Sequence, residues 1–261
     1  MIFLKYAYKA SPVRLKAVLM LALLAFAVSS CANSLAQRKE ESVIHYKLGT
    51  VHLKDRDYPA ALKELTNAIE MYEGEPSYHN ALGLAYFARG MNKEAEKAMK
   101  EAVSIDPKFS EARVNLSAVY LAEKRWDDAI EESKTALKNI FYRTPEFAYF
   151  NMAQAYLNKT DHVAAIEGYK KAVEINPNYA LAYYSMGLVF DRMNNVRDAA
   201  DAFEKAVKAA PSYSDAHFEL GKAFLKQRQN ARALKAFEKV VELAPESEFA
   251  RSSKEFIKLL K

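Results

Sequence analysis

Small residues return along this chain at a nearly fixed stride. Leu48-Gly49, Leu82-Gly83, Leu116-Ser117, Met152-Ala153, Met186-Gly187 and Leu220-Gly221 are separated by 34, 34, 36, 34 and 34 residues. Three positions after each small residue stands an aromatic or a histidine: His52, Tyr86, Tyr120, Tyr156, Phe190, Phe224. Twelve positions after it comes alanine, at Ala61, Ala95, Ala129, Ala165, Ala199 and Ala233. A fixed period of this length predicts an array in which each unit packs only on its neighbours. Each unit reads as two helices that approach closely at the small sites, with the aromatic filling the gap to the next unit. Pro107, Pro177, Pro211 and Pro245 stop four of the second helices, because proline cannot continue a helix interior. Asp106-Pro107-Lys108-Phe109, Asn176-Pro177-Asn178-Tyr179 and Ala210-Pro211-Ser212-Tyr213 repeat one turn, with an aromatic two residues beyond the proline.

These units resemble tetratricopeptide repeats, six in succession over residues 42–247. The resemblance implies an all-α fold, a right-handed superhelix of six tetratricopeptide repeats with a C-terminal capping helix. In that helix, residues 248–261, Phe249, Phe256, Ile257 and Leu260 mark one apolar face with lysines opposite, as the end of a stacked array requires.

The front of the chain reads differently. Residues 1–16 carry Lys5, Lys9, Arg14 and Lys16 and no acid, and Ala17 to Val28 is an apolar run ending in Ser29-Ser30-Cys31. A basic head, a short apolar core and a small-residue exit predict a secretory signal over residues 1–30. The run is shorter than the 18 to 20 apolar residues, roughly, that a membrane span needs. Val28-Ser29-Ser30-Cys31 resembles the lipobox of bacterial lipoproteins. The resemblance implies cleavage before Cys31, a covalent lipid on its thiol and an acylated new amino terminus. Alanine at position 32, where aspartate would signal retention, implies sorting to the outer membrane. Residues 31–41 would then form a lipidated tether of roughly 20 to 30 Å if extended. The formal charge of +5 owes four positives to residues 1–16, so the remainder carries +1. Such a balance gives no basic footprint for nucleic acid.

No catalytic constellation is present: the chain has no His-Glu-x-x-His, phosphate loop or nucleophile elbow. His45, His79 and His217 occupy one slot of three repeats, too far apart to share an ion, and are expected to pack. The expectation is therefore no enzyme, no metal, no cofactor beyond the lipid, and no small-molecule substrate.

In the repeat family the first helices line a concave face. Carrying its lining slots over picks out Tyr46, Leu84, Phe87, Val114, Leu121, Phe147, Phe150, Leu157, Leu181, Tyr184, Leu188 and Phe218. Phe87, Leu121, Phe150 and Tyr184 are expected to bear the partner contact. The paired Lys, Asn and Arg with which some relatives hold a carboxylate are missing: the matching slots hold Tyr46, Thr50, Ala81, Glu111 and Asn115. An apolar trough remains, suited to an amphipathic helix or an apolar strand.

The odd stride of 36 falls before the fourth repeat. There Ile140-Phe141-Tyr142-Arg143-Thr144-Pro145-Glu146, continuing to Ala148-Tyr149 and Asn151, resembles the Asn-Pro-Leu-Tyr-x-Thr-Pro-Glu-x-Ala-Tyr-x-Asn segment of type IV pilus biogenesis lipoproteins. Ile140 and Phe141 replace the family's Pro-Leu, and Thr144 is placed to cap a helix that begins at Pro145. The resemblance implies a pilotin: an outer-membrane lipoprotein that binds a secretin subunit and promotes its membrane targeting and assembly. Its rivals are a general periplasmic scaffold in polysaccharide export or envelope assembly, and a regulatory subunit of a cell-wall enzyme.

Overall fold

The computed structural model describes residues 35–261. Among them thirteen helices follow one another with no strand. The first pair is α1 (35–54) with α2 (Tyr58–Met71), and the second is α3 (Pro76–Ala88) with α4 (Asn92–Ile105). Next come α5 (Ser110–Ala122) with α6 (Trp126–Leu137) and α7 (Pro145–Asn158) with α8 (His162–Ile175). The last pairs are α9 (Ala180–Arg192) with α10 (Val196–Ala209) and α11 (Ser214–Lys226) with α12 (Asn230–Leu243). The helix α13 (Glu248–Leu260) closes the array.

Within each pair the chain turns through one left-handed residue: Arg56, Gly90, Lys124, Thr160, Asn194 and Arg228, with φ of 58 to 73°. Only one is glycine, so each of the other five carries a strain of about 1 kcal/mol. The next amide donates to the carbonyl of the aromatic or histidine three places after the small residue, at 2.9–3.0 Å in all six repeats. That bond satisfies a helix-end carbonyl and offsets the strain.

The stride has a steric cause. The alanines at 61, 95, 129, 165, 199 and 233 are all wholly buried. Sixteen residues after Gly49, Gly83, Gly187 and Gly221 come Leu65, Met99, Phe203 and Phe237, and each lies so close that a Cβ on the glycine would sit 2.5–2.6 Å from it. Repeats 3 and 4 solve the same contact in other ways. In repeat 4 the first helix keeps Ala153, and the missing side chain moves to the second helix at Gly168. In repeat 3, Ser117 meets Ser133 at 2.8 Å, and the Ser117 hydroxyl donates to the Ala129 carbonyl at 2.9 Å. With its one proton so used, Ser117 must accept from Ser133. Ser117→Ala therefore strands a buried hydroxyl and is expected to lower stability by about 1–2 kcal/mol. The double variant with Ser133→Ala should recover most of that loss in urea denaturation; equal losses would mean that the hydroxyls do not act as a pair.

The Pro turns between repeats are superimposable in their bonding. Phe109, Tyr179 and Tyr213 each donate a backbone amide to the carbonyl three residues earlier at 3.0 Å, and Ser247 does the same. The Asp106 and Asn176 side chains accept from the amides two residues on. At the C-terminal end, Phe249 stacks on Phe218 and Phe256 on Phe237, each at 4.7 Å. Ile257 and Leu260 join the same cluster, so α13 covers the last repeat as its apolar face requires. At the other end Ile44, Leu48 and Val51 on α1 stay about half exposed.

Two expectations need correction. Residues 35–41 are helical, the first part of α1, instead of extended tether. The reason is docking: Arg38 donates to the Glu70 carbonyl at 2.9 Å, and the wholly buried Ser42 bonds Lys39 and Tyr78. Helix α7 does begin at Pro145, but Thr144 makes no side-chain cap bond. Cys31 and the signal segment over residues 1–30 lie outside the described residues.

Candidate partner-binding groove

The first helices of successive repeats touch one another along one side, α3 with α5 and α5 with α7. The expected lining residues divide along that surface. Phe147 and Leu181 are open, each 42% exposed. Tyr46, Leu84, Phe87, Leu121, Leu157, Tyr184 and Leu188 are half-buried. Val114, Phe150 and Phe218 are buried.

Packing between repeats accounts for the buried set. Phe150 lies 5.6 Å from Tyr169 and 5.1 Å from Tyr179, ring to ring. Phe218 is enclosed by Phe237, Phe249 and Phe256. Half-buried Tyr184 leans on Tyr213 at 5.0 Å and Phe203 at 5.9 Å. The aromatics that follow the turns at Pro177 and Pro211, Tyr179 and Tyr213, thus fold back onto the first helix of the repeat they end. Phe150 is a wall of the fold, and a charge there would unfold the repeat rather than test the groove. Phe147, one turn earlier, makes only an edge contact with Tyr179 and faces outward.

The middle of the groove holds a depression of about 490 Å³. Phe147 and Val114 supply apolar lining, Asn80, Asn115 and Asn151 supply amides, and Glu111 adds one carboxylate. Asn115 donates to Asn80 at 2.9 Å, and Asn151 donates to the Val114 carbonyl at 3.0 Å. The surface is therefore amide and apolar together, where the sequence predicted an apolar trough. Asn115 and Asn151 stand two places before the small residue in consecutive repeats, a signal the hydrophobic slots overshadowed.

The segment that ties repeat 3 to repeat 4 sorts itself in the same way. Asn139 bonds the Lys108 carbonyl and the Ser110 hydroxyl, both at 3.1 Å. Tyr142, Glu146 and Ala148 are buried, and Asn176 donates to Glu146. Ile140, Phe141 and Phe147 point to solvent.

Histidines of the shared slot make local bonds. His79 and His217 each meet a carbonyl of the preceding turn through Nε2, which must carry the proton, and His45 meets Glu64 at 2.6 Å. No group of three metal-binding side chains forms among the described residues.

Burial pushes the phenols of Tyr142, Tyr179 and Tyr184 up to about 12, and that of Tyr169 up further. The unfolded chain gives up these protons near pH 10. Below that pH their contribution to stability is intact, and it drains away between about pH 10 and 12 as the unfolded state ionises first. The urea midpoint should therefore fall between pH 9 and pH 11, roughly, with tyrosinate absorbance rising only as the fold opens. An unchanged midpoint would show that these phenols are not shielded.

Comparison with known proteins agrees with this architecture. Family patterns described as tetratricopeptide repeats match residues 46–108 and 184–248, 86–140, and 161–194, together more than half of the chain. The chain belongs to the tetratricopeptide-repeat family. Among solved structures, Pseudomonas aeruginosa PilF matches with a TM-score of 0.73 at 16% identity, covering 84% of this chain and 99% of that one. PilW, described as a widely conserved type IV pilus biogenesis factor, matches with 0.74 at 18%, covering 81% and 97%. MamA matches with 0.55 at 27%, covering 67% and 97%. At such identities the likeness establishes the fold. Among curated relatives, the Hsp70-Hsp90 organising protein of Plasmodium falciparum is 27% identical over 124 residues, 46% of this chain and 22% of that protein. The BBSome member BBS4 of Bos taurus is 31% identical over 104 residues, 40% and 20% respectively. The chain spans about a fifth of the length of these two relatives.

Proposed function

We propose that this chain is a lipid-anchored protein of the bacterial outer membrane that binds a secretin subunit through its repeat groove and promotes assembly in type IV pilus biogenesis. The observation that carries this reading is the extent of the structural likeness. PilF and PilW match 81–84% of this chain at TM-scores of 0.73–0.74, where MamA reaches 0.55 over 67%. The Cys31 lipobox and the segment around Thr144-Pro145-Glu146 support it independently. In this reading the lipid gives the address and the groove gives the grip, with apolar anchors at Phe147 and Leu181 and amides at Asn80 and Asn115. A partner helix or strand with alternating apolar and hydrogen-bonding side chains fits such a surface.

The test is a Phe147→Glu, Leu181→Glu double variant expressed in a piliated host. Both positions are open, so helical content should hold within error, while heat-stable secretin multimers in the outer membrane should fall at least tenfold. Normal multimers, with the variant present at normal level, would overturn the groove. A lipid-free Cys31→Ser variant should mislocalise the secretin while leaving binding of the isolated subunit unchanged.

A further inference from the structure

The loop between repeats 3 and 4 carries the two most exposed large apolar side chains among the described residues, Ile140 at 87% and Phe141 at 83%. They are held out, not frayed. Asn139 is bonded to Lys108 and Ser110 as described, its side-chain oxygen accepts from the Phe141 amide at 3.0 Å, and the Tyr142 amide donates to its carbonyl at 3.0 Å. Behind the tip Tyr142 is buried. Beside it lies a depression of about 410 Å³ whose lining includes Lys108, Arg113, Lys138 and Thr135 and no carboxylate. Arg113 is already committed to Glu132 at 2.7 Å. Lys108 and Lys138 enter no ion pair among the described residues, leaving two ammonium groups at the foot of an apolar prong.

We propose that this tip is a membrane-docking site for anionic phospholipid: Ile140 and Phe141 enter the acyl layer while Lys108 and Lys138 hold the headgroup phosphate. A protruding pair of apolar side chains needs no complementary cavity in lipid, whereas a protein partner would have to supply one. Apolar insertion beside cations is the combination that binds anionic surfaces. Each lysine near such a surface strengthens binding roughly five-fold. The site goes beyond the proposed secretin function and does not depend on a lipid at Cys31.

The chain has one tryptophan, Trp126. Trp126→Phe combined with Phe141→Trp, in the full chain, moves the only indole to the tip; circular dichroism checks that the helices remain. Vesicles of phosphatidylglycerol with brominated acyl chains should quench that indole by more than half, and equally brominated phosphatidylcholine vesicles much less. Adding Lys108→Glu and Lys138→Glu should weaken the quenching affinity by at least about 25-fold, the loss of two cations alone, with repulsion by the new carboxylates on top. An indole left unquenched while the chain floats with the vesicles would overturn the proposal, since the N-terminus alone would then hold it. Equal quenching in both lipids, indifferent to charge reversal, would overturn it too. So would a blue shift on adding a soluble acidic, leucine-rich peptide without quenching by vesicles, which would assign the tip to a protein. Failure here leaves the groove reading standing, because that test reads Phe147, Leu181 and secretin multimers.

Discussion

Phe237→Ala is expected to be the most damaging single truncation in the array, costing about 3–5 kcal/mol. The side chain is wholly buried. Its ring fills the space left by Gly221 and stacks on Phe256 at 4.7 Å, so one deletion opens a cavity and unseats the capping helix. In a stack of units each element leans only on its neighbours, so the loss should be local. Hydrogen exchange should accelerate first in α11, α12 and α13, with α3 to α6 little changed. Urea denaturation should show an early phase equal in size to the lost helices. A change below about 1 kcal/mol would mean that the cap is held by other contacts.

Gly168→Ala should also destabilise, against the ordinary trend. In an exposed helix interior the exchange would gain about 1 kcal/mol of helix propensity. Here the new Cβ would lie 2.8 Å from the Ala153 Cβ and 3.1 Å from the Tyr149 carbonyl oxygen. Helices α7 and α8 must part, at a cost of about 1–3 kcal/mol. Adding Ala153→Gly should recover most of it, because the pair then has its gap on the first helix as in repeats 1, 2, 5 and 6. Thermal unfolding of the three variants decides the point; a single variant more stable than the parent would refute the close contact.

The array was legible in the sequence because its period is steric. A glycine that faces Phe203 or Phe237 and an alanine with no room for another carbon leave marks that return every 34 residues. The exceptions were harder to read. Ser117 occupies the small slot but works through a hydrogen bond to Ser133, and Gly168 compensates for Ala153 across two helices, pairings visible only once the helices are side by side. The exposure of individual side chains on the first helices was harder still to read. Phe147 and Phe150 are three residues apart on one helix, yet a rotation of one turn's remainder places the first in water and the second under Tyr179. Residue type alone does not say which. Helical docking of residues 35–41 depended on the Glu70 carbonyl and on Tyr78, both far along the chain.

The recurring turn after the second helix has an evolutionary corollary. Since Phe109, Tyr179, Tyr213 and Ser247 close their turns with the same 3.0 Å bond, the joints are interchangeable parts. A gene duplication that copies one 34-residue module into any regular joint would lengthen the protein without redesigning its cross-section. The joint between repeats 3 and 4, with its two additional residues and its pinned Asn139, is the place where such splicing would meet a mismatch.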